Sequence, residues 1–337
     1  MLKKILYLDQ NIISELAISK EKERDDFFSI LLKELQNAIF AEKIVCPHST
    51  HHIWESGLSG KQEYEMLYLG LSWELSHGVK FCYFPEIQMR QIQKSVDKYC
   101  GKDQTQHYDF PWQDAFCSNP HSYLAGHVYV HMPVPKLMDL LGKGKEQYAQ
   151  KMQNAHEKWI KESASFEESL AIEKREYADM IIQYALNEQP SFTGKWLFDT
   201  RTRAILELRR RFTSIQRMLA KHIPEASENL DIVIDFLYSE YFFSTPYLHI
   251  CASIDAGLAS EMRKRRSKVA RRAKPSDYLD KQIISYYLPY CDAMFIDRAF
   301  QLLISDVLGF DQKYSVRLFS MKTGKEEFLQ FIKNQGD

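Results

Sequence analysis

The stretch ILYLDQNIISEL, residues 5–16, decides the fold predicted for this chain. Its apolar start predicts a short buried β-strand over residues 4–8, and the residues from Gln10 onward predict a helix. Asp9 lies between the two elements, directly behind the strand. A carboxylate in that position is costly to remove from water unless a positive group shares its charge. The stretch therefore predicts a strand–helix unit and a cationic partner for Asp9.

Strand–helix units recur at both ends of the chain, and long helical patterns fill its middle. This alternation implies a parallel sheet with helices on its faces. We therefore expect an α/β fold in which residues 1–85 and 271–337 build one core and residues 86–270 form a large α-helical insertion. The further predicted strands are residues 43–46, 79–84, 293–296 and 314–319. The further predicted helices are residues 25–40, 61–76 and 277–288, one that opens at Ser49, and long helices within 136–188 and 200–264.

The composition indicates a folded protein of the cytoplasm. Of 337 residues, 45% are hydrophobic and 13% aromatic, which suffices for a large buried core. Six cysteines without a C-x-x-C pair indicate a reduced protein rather than a disulfide scaffold. No stretch approaches the roughly 18 apolar residues of a membrane span, so we expect a soluble protein without a membrane partner. The chain has no Gly-rich phosphate loop, which argues against an ATPase.

Basic residues are concentrated in two segments. Residues 263–274, RKRRSKVARRAK, contain eight Lys or Arg and no acid, and we expect them to bind the phosphates of a nucleic acid. Residues 195–222 contain eight basic residues against two acids, which fits phosphate binding and a solvated helix face equally well. The basic residues of the first segment are Arg263, Lys264, Arg265, Arg266, Lys268, Arg271, Arg272 and Lys274.

Acidic residues follow the predicted strands. Asp9 and Asp297 each follow a strand directly, and Glu55 lies on the helix after the second strand. Asp277 and Asp280 open a helix one turn apart, and hence on one face. Because ligand sites of parallel sheets lie at the carboxyl ends of the strands, we expect these acids to converge. Converging carboxylates repel one another, and a bound Mg²⁺ or Mn²⁺ relieves that repulsion and can act on a phosphoryl group.

Three segments resemble the PIN-domain nucleases. They are LYLDQNIISEL (6–16), VCPHSTHHIWE (45–55) and DYLDKQIISYYLPYCDAMFIDRAF (277–300). In that family an Asp ends the first strand, a Glu lies on a helix after the second, and two more Asp come from the C-terminal part. The resemblance implies a PIN-like sheet and a metal-dependent nuclease that uses Mg²⁺ or Mn²⁺, with RNA favoured as the substrate. It covers the two ends of the chain and none of the helical insertion.

The resemblance also assigns site residues. Carried over residue by residue, it makes Asp9, Glu55, Asp280 and Asp297 the catalytic and metal-binding acids. Asp292 matches an extra acid before the last motif strand and is expected as a further metal ligand. The accessory residues are Asn11, which supports the first Asp, His52, from the H-x-x-E pattern, and Asp277, from its position one turn before Asp280.

One position departs from the family pattern. Ile296 lies where the family has Thr or Ser, whose hydroxyl assists the metal cluster.

By analogy with the family, we expect a toxin or antiphage-defence role, a protein partner such as an antitoxin, and dimerisation through helices.

Other interpretations of the same residues stay open at this point. Each acid that precedes a helix could be a helix cap. Asp9 could be the nucleophile of a haloacid-dehalogenase-like phosphatase, although that family has Asp where this chain has Asn11. A protein that binds nucleic acid without cutting it would fit Ile296. Arg217 and His222 resemble the R-x-x-x-x-H signature of HEPN ribonucleases. Finally, four residues have the spacing of zinc ligands on a helix and could bind zinc: His48, His51, His52 and Glu55.

Overall fold

The computed structural model describes residues 2–57, 62–103, 105, 108–121, 150, 154, 164–187, 200–264, 277–322 and 324–336. The chain divides into two compact units. Unit 1 comprises Met1–Phe84, Phe110–Gly142 and Leu279–Asp337, and unit 2 comprises Pro85–Asp109 and Lys143–Tyr278.

Four parallel strands form a sheet in the described part of unit 1. Their order is β2–β1–β3–β4, so β1 lies between the second and the third strand of the chain. The α/β class and the parallel sheet expected from the sequence are therefore confirmed. The strands are β1 (Lys4–Leu8), β2 (Ile44–Val45), β3 (Ala293–Phe295) and β4 (Arg317–Phe319).

Helices make up most of the remaining described residues. In chain order they are α1 (Gln10–Glu21), α2 (Phe27–Phe40), α3 (Thr50–Gly57), α4 (Gln62–Ser76), α5 (Phe84–Tyr99), α6 (Phe166–Leu186), α7 (Thr200–Ala220), α8 (Leu230–Leu237), α9 (Glu240–Phe243), α10 (Pro246–Lys264), α11 (Asp277–Tyr287), α12 (Arg298–Leu302), α13 (Phe310–Lys313) and α14 (Lys325–Gly336). Short 3₁₀ helices cover Trp112–Asp114, Pro224–Ser227 and Leu288–Tyr290, and a π-helical turn covers Leu303–Val307.

The two faces of β1 have different neighbours, because successive side chains of a strand point to opposite sides. Leu6 and Leu8 belong to the main apolar core, which also contains side chains of α1, α2, α4 and α14. Tyr7 lies on the other face, where its ring stacks on His52 of α3 and contacts Tyr287 of α11. Asp9 lies two residues after Tyr7, so its side chain lies on the same face as that of Tyr7.

The strand predicted over residues 79–84 is wrong. Lys80 forms one parallel bridge with His48, and Phe81 forms one antiparallel bridge with Phe116. Helix α5 already begins at Phe84, and Pro85 suits the first turn of a helix because its missing N–H is not needed there. The bridge to Phe116 also explains why residues 110–121 belong to unit 1, although the sequence assigned them to the insertion.

The described part of unit 2 is helical, as the sequence predicts for residues 200–264. Helix α6 packs against α7 and α10. Its start is fixed by Ser165, whose hydroxyl accepts a hydrogen bond from the Glu168 amide while the Glu168 carboxylate accepts one from the Ser165 amide. Among the residues that the structure describes, no helix is both long and apolar enough to cross a membrane.

Candidate metal centre

Asp9 occupies the junction between β1 and α1. Its amide donates a hydrogen bond to the carbonyl of Phe295, so the backbone at this point is still held by β3. Its Oδ1 accepts a hydrogen bond from the Gln10 amide at 2.8 Å and thereby caps α1. Its Oδ2 accepts one from Nδ2 of Asn11 at 3.0 Å. The helix-cap interpretation of Asp9 is therefore correct, and the expected support from Asn11 is present.

Two more carboxylates lie beside Asp9. Glu55 comes from the second turn of α3, and Asp280 comes from the first turn of α11. One carboxylate oxygen from each of the three residues lies within 4.8 Å of the others. Asp9 is buried, and Glu55 and Asp280 are partly buried, so water screens their mutual repulsion poorly. Three of the four predicted metal-binding acids therefore converge at one point, which we call the acid cluster (Asp9, Glu55 and Asp280).

A small cleft opens at the acid cluster. Asp297, the fourth predicted acid, follows β3, lines the same cleft and is close enough to Asp9 to act on its charge. Asp297 also caps α12, because its Oδ1 accepts a hydrogen bond from the Ala299 amide at 2.7 Å. The residues that line the cleft are Tyr7, Asp9, Asp280, Ile283, Ile284, Ile296, Asp297 and Phe300.

The acid cluster fits a hard divalent cation. Mg²⁺ and Mn²⁺ prefer oxygen ligands, and Mg²⁺ binds them at about 2.0–2.1 Å, so oxygens on opposite sides of one ion lie about 4.2 Å apart. Oxygens within 4.8 Å of one another can therefore share one ion after a shift of a few tenths of an ångström. Glu55 and Asp280 approach from helices, so their side chains can make this shift without disturbing the sheet.

Burial and the neighbouring groups change the pKa of Asp9. Burial raises the pKa of the Asp9 carboxyl to about 6, the hydrogen bonds from Asn11 and Gln10 lower it, and the negative charge of Asp297 raises it. The carboxylate is thus held at a free-energy cost near neutral pH in the metal-free protein. A cation bound at the acid cluster would offset this cost.

Tyr7 is a residue of the cleft that the sequence analysis missed. Its ring is fully buried, and its hydroxyl lies near Ser49. Burial raises the pKa of this hydroxyl well above its ordinary value, and the charges of Glu55 and Asp9 add to the effect. Tyr7 stands two residues before Asp9 in a strand, and this spacing was the available signal, since it places both side chains on one face.

His52 holds α3 against the end of β1. Its Nε2 donates a hydrogen bond to the Leu8 carbonyl at 2.8 Å, and its Nδ1 accepts one from the Ser49 amide at 3.2 Å. Both ring nitrogens are therefore used within the protein, and burial lowers the pKa of the imidazole to about 4. His52 is a neutral positioning residue that fixes the helix carrying Glu55 next to Asp9.

Asp292 does not join the acid cluster, contrary to the prediction. It precedes β3, so it lies at the amino end of the strand, whereas Asp297 follows the carboxyl end. Its Oδ2 accepts a hydrogen bond from the Ile5 amide at 2.8 Å, and its Oδ1 pairs with Lys4 Nζ at 2.7 Å. Asp292 thus ties the starts of β1 and β3 together at the opposite edge of the sheet.

Asp277 and Ile296 are the two remaining positions that the sequence analysis singled out near the acids. Asp277 is the buried first residue of α11, and it is neither in the acid cluster nor among the residues that line the cleft. Ile296 lies directly before Asp297 with 6% of its surface exposed, and it lines the cleft. An apolar side chain thus occupies the position where the PIN family has a hydroxyl.

The basic segment is described only at its start. Arg263 Nη2 donates a hydrogen bond to Ser169 Oγ at 2.8 Å, so this guanidinium contacts α6. Lys264 is the last residue of α10. The remaining predicted phosphate-binding residues lie outside the described part of the chain: Arg265, Arg266, Lys268, Arg271, Arg272 and Lys274.

The alternative sites find little support in the geometry. For the HEPN-like pair, His222 Nε2 contacts Asp97 Oδ1 at 2.9 Å, and Arg217 is exposed. The histidines with zinc-ligand spacing point to different partners. His48 Nδ1 contacts Ser72 Oγ at 2.8 Å, and His51 Nδ1 contacts the Tyr287 hydroxyl at 3.0 Å.

No known family, curated protein or solved structure matches this chain at a significant level. The case for a function therefore depends on the acid cluster, the cleft and the sequence.

Proposed function

We propose that this chain is a metal-dependent nuclease with a PIN-like fold that hydrolyses phosphodiester bonds, with RNA favoured over DNA. The observation that carries the proposal is the convergence of Asp9, Glu55 and Asp280, whose carboxylate oxygens lie within 4.8 Å of one another beside a cleft that Asp9 and Asp280 line. Three carboxylates so close together are unfavourable without a cation. The order of the acids along the chain is that of the PIN pattern, which supports this nuclease class over other metal-dependent hydrolases.

The location of the acid cluster supports the proposal. The chain goes from β1 to β2 on one side of the sheet, and β3 lies on the other side of β1. The strand order therefore changes direction between β1 and β3. Ligands of open parallel sheets bind in the crevice outside the carboxyl ends of the strands at such a point. Asp9 follows β1 directly, and Asp297 follows β3 after Ile296.

Each residue of the cleft has a task in this proposal. Asp9, Glu55 and Asp280 would hold Mg²⁺ or Mn²⁺, with Asp297 beside them. When bound, such an ion supplies positive charge to a phosphoryl oxygen and lowers the pKa of a coordinated water. Asn11 orients the Asp9 carboxylate, and the apolar side chains of the cleft exclude bulk water from the acids.

The substrate and the biological role are proposed in addition to the metal-dependent activity. The eight Lys and Arg of residues 263–274 would bind the phosphate backbone of RNA, because clustered positive charge attracts polyanions. A role as a toxin or in antiphage defence, an antitoxin-like partner, dimerisation through helices and action in the cytoplasm rest on the resemblance to the PIN family alone.

A second candidate function is nucleic-acid binding without cleavage. The observation that favours it is the buried side chain of Ile296 in the cleft, where a hydroxyl would assist the metal cluster. The phosphatase alternative is weaker, because that family has a second Asp at the position of Asn11.

The experiment that tests the proposal separates binding from catalysis. Mn²⁺ binding is measured by calorimetry on protein stripped with EDTA, for the wild type and Asp9→Asn. Cleavage of labelled RNA and single-stranded DNA is then followed with Mn²⁺, with Mg²⁺ and with EDTA. Asp25→Asn is the matched control, since Asp25 is an exposed acid outside the acid cluster.

We expect Mn²⁺ binding and cleavage in the wild type and in Asp25→Asn, and neither in Asp9→Asn. Absence of cleavage in the wild type would overturn the nuclease proposal, and weak or no Mn²⁺ binding beside it would favour the second candidate. Cleavage that survives both EDTA and Asp9→Asn would refute the acid cluster as the active site.

The same variant offers a check that needs no substrate. At pH 7.5 without metal, Asp9→Asn should raise the free energy of unfolding by about 3 kcal/mol, because it removes a buried charge whose pKa is raised from 3.8 to about 6. If Asp9 stabilised the fold, Asp9→Asn would lower the free energy of unfolding instead.

A further inference from the structure

Two cysteines far apart in the sequence meet in unit 1. The Sγ atoms of Cys82 and Cys117 are 3.1 Å apart, and neither residue is in a disulfide. The S–S bond of a disulfide measures about 2.05 Å, so a movement of about 1 Å would join them. Because 34 residues of chain separate the two cysteines, no local sequence pattern indicates the pair.

The backbone holds the two cysteines in register. Phe81 and Phe116 form an antiparallel bridge. On either side of it, the Cys82 amide donates to the Ala115 carbonyl at 2.7 Å, and the Cys117 amide donates to the Lys80 carbonyl at 3.3 Å. The approach of the sulfur atoms is therefore fixed by paired main-chain segments and does not depend on two mobile side chains.

The two thiols differ in access to solvent. Cys117 is exposed, whereas Cys82 is 1% exposed. The Phe81 ring stacks on Phe116 at 4.6 Å and on Tyr287 at 4.1 Å, so the bridge beside the two cysteines is anchored by packed aromatic rings. An oxidant from solvent can therefore reach Cys117 first, and Cys82 is the neighbouring thiol that can react next.

We propose that Cys82 and Cys117 are a redox modification site that hydroperoxides convert to a disulfide. In the first step the Cys117 thiolate attacks one peroxide oxygen, which forms a sulfenic acid and releases water from hydrogen peroxide. In the second step the Cys82 sulfur attacks the sulfenic sulfur, which forms the S–S bond and releases a second water. The two thiols together lose two protons and two electrons, and one peroxide takes them up.

The new bond would close a defined part of the chain. The chain leaves unit 1 after Phe84 and returns to it at Phe110, and the two cysteines flank this excursion. A bond between them would tie the exit and the return of the chain within unit 1. Cross-links of this kind restrict the unfolded chain, so the oxidised protein should unfold at a higher temperature than the reduced one.

The test uses the full chain, first reduced and then treated with hydrogen peroxide in stoichiometric steps. Remaining thiols are alkylated, and the intact mass and the cross-linked peptides are measured. The variants are Cys82→Ser and Cys117→Ser, with Cys100→Ser as the matched control, since Cys100 is a partly exposed cysteine outside the pair.

We expect a Cys82–Cys117 cross-link in the wild type and in Cys100→Ser, reversible by dithiothreitol and accompanied by a rise in the unfolding temperature of several degrees. In Cys82→Ser, Cys117 should accumulate as a sulfenic acid that dimedone traps. The proposal is overturned if the wild type shows no such cross-link, if other cysteines pair instead, or if tightly bound zinc protects both thiols from oxidation.

Discussion

Asn11 Nδ2 donates a hydrogen bond to Asp9 Oδ2 over 3.0 Å. The donor is exposed and the acceptor is 6% exposed, so a surface side chain orients a buried carboxylate. Because the other oxygen of Asp9 is held by the Gln10 amide, both oxygens of the carboxylate have fixed positions before any ion binds.

Asn11→Ala should weaken Mn²⁺ binding by about tenfold, since removal of a group that orients a metal ligand typically costs 10–100-fold in affinity. The fold should be retained, because Asn11 is exposed. Calorimetry on protein stripped with EDTA measures the change, with Glu21→Ala at the exposed end of the same helix as the control. An affinity equal to that of the control would show that Asn11 plays no part in the site.

Asp292→Asn should leave metal affinity and cleavage unchanged. Asp292 lies at the amino end of β3, where it pairs with Lys4, and an Asn side chain can still accept the hydrogen bond from the Ile5 amide. The lost ion pair is partly exposed and should cost less than about 1 kcal/mol of unfolding free energy. A loss of Mn²⁺ affinity comparable to that of Asp9→Asn would contradict the placement of Asp292.

Ile296→Thr should increase metal affinity or turnover. The substitution places a hydroxyl in the cleft directly before Asp297, at the position where the PIN pattern has one. It also removes buried apolar volume, so we expect the free energy of unfolding to fall by about 1–2 kcal/mol. Ile296→Val separates the two effects, because it removes volume without adding a hydroxyl. Equal activity in the two variants would assign no role to the missing hydroxyl.

Acid should destabilise the metal-free protein through its buried histidines. Burial lowers the pKa of His51 to about 3 and of His52 to about 4, below the ordinary value of 6.5. Between about pH 6.5 and 4 the unfolded chain therefore binds more protons at these residues, and each costs up to about 1.4 kcal/mol per pH unit as the pH falls. Asp9 acts in the opposite direction, since its pKa is raised from 3.8 to about 6.

Urea unfolding at pH 7, 6 and 5 measures this dependence. Asp9→Asn should lose stability more steeply than the wild type as the pH falls, because it lacks the opposing group. His52→Gln should lose it less steeply. Parallel curves for the three proteins would show that these residues do not carry the acid sensitivity.

Much of the sheet was predictable because strand and helix patterns near the chain ends are local. Ligand sites of parallel sheets lie at the carboxyl ends of the strands, and this rule placed Asp9 and Asp297 correctly at that edge. Asp292 was assigned through the resemblance alone, and the rule argues against it, since a residue that precedes a parallel strand lies at the opposite edge. The convergence of Glu55 and Asp280 depends on how α3 and α11 pack, which no local pattern contains. The contact between Cys82 and Cys117 is likewise tertiary.

The acid cluster draws its members from the two ends of the chain, and this affects when it can form. During translation Asp9 and Glu55 leave the ribosome before Asp280, because residues 56–279 must be made first. Strand β1, at the middle of the sheet, also lacks its neighbour β3 until then. Domains generally fold as units during synthesis. A nascent chain thus carries two of the three acids, Asp9 and Glu55, without a complete acid cluster until Asp280 has been made.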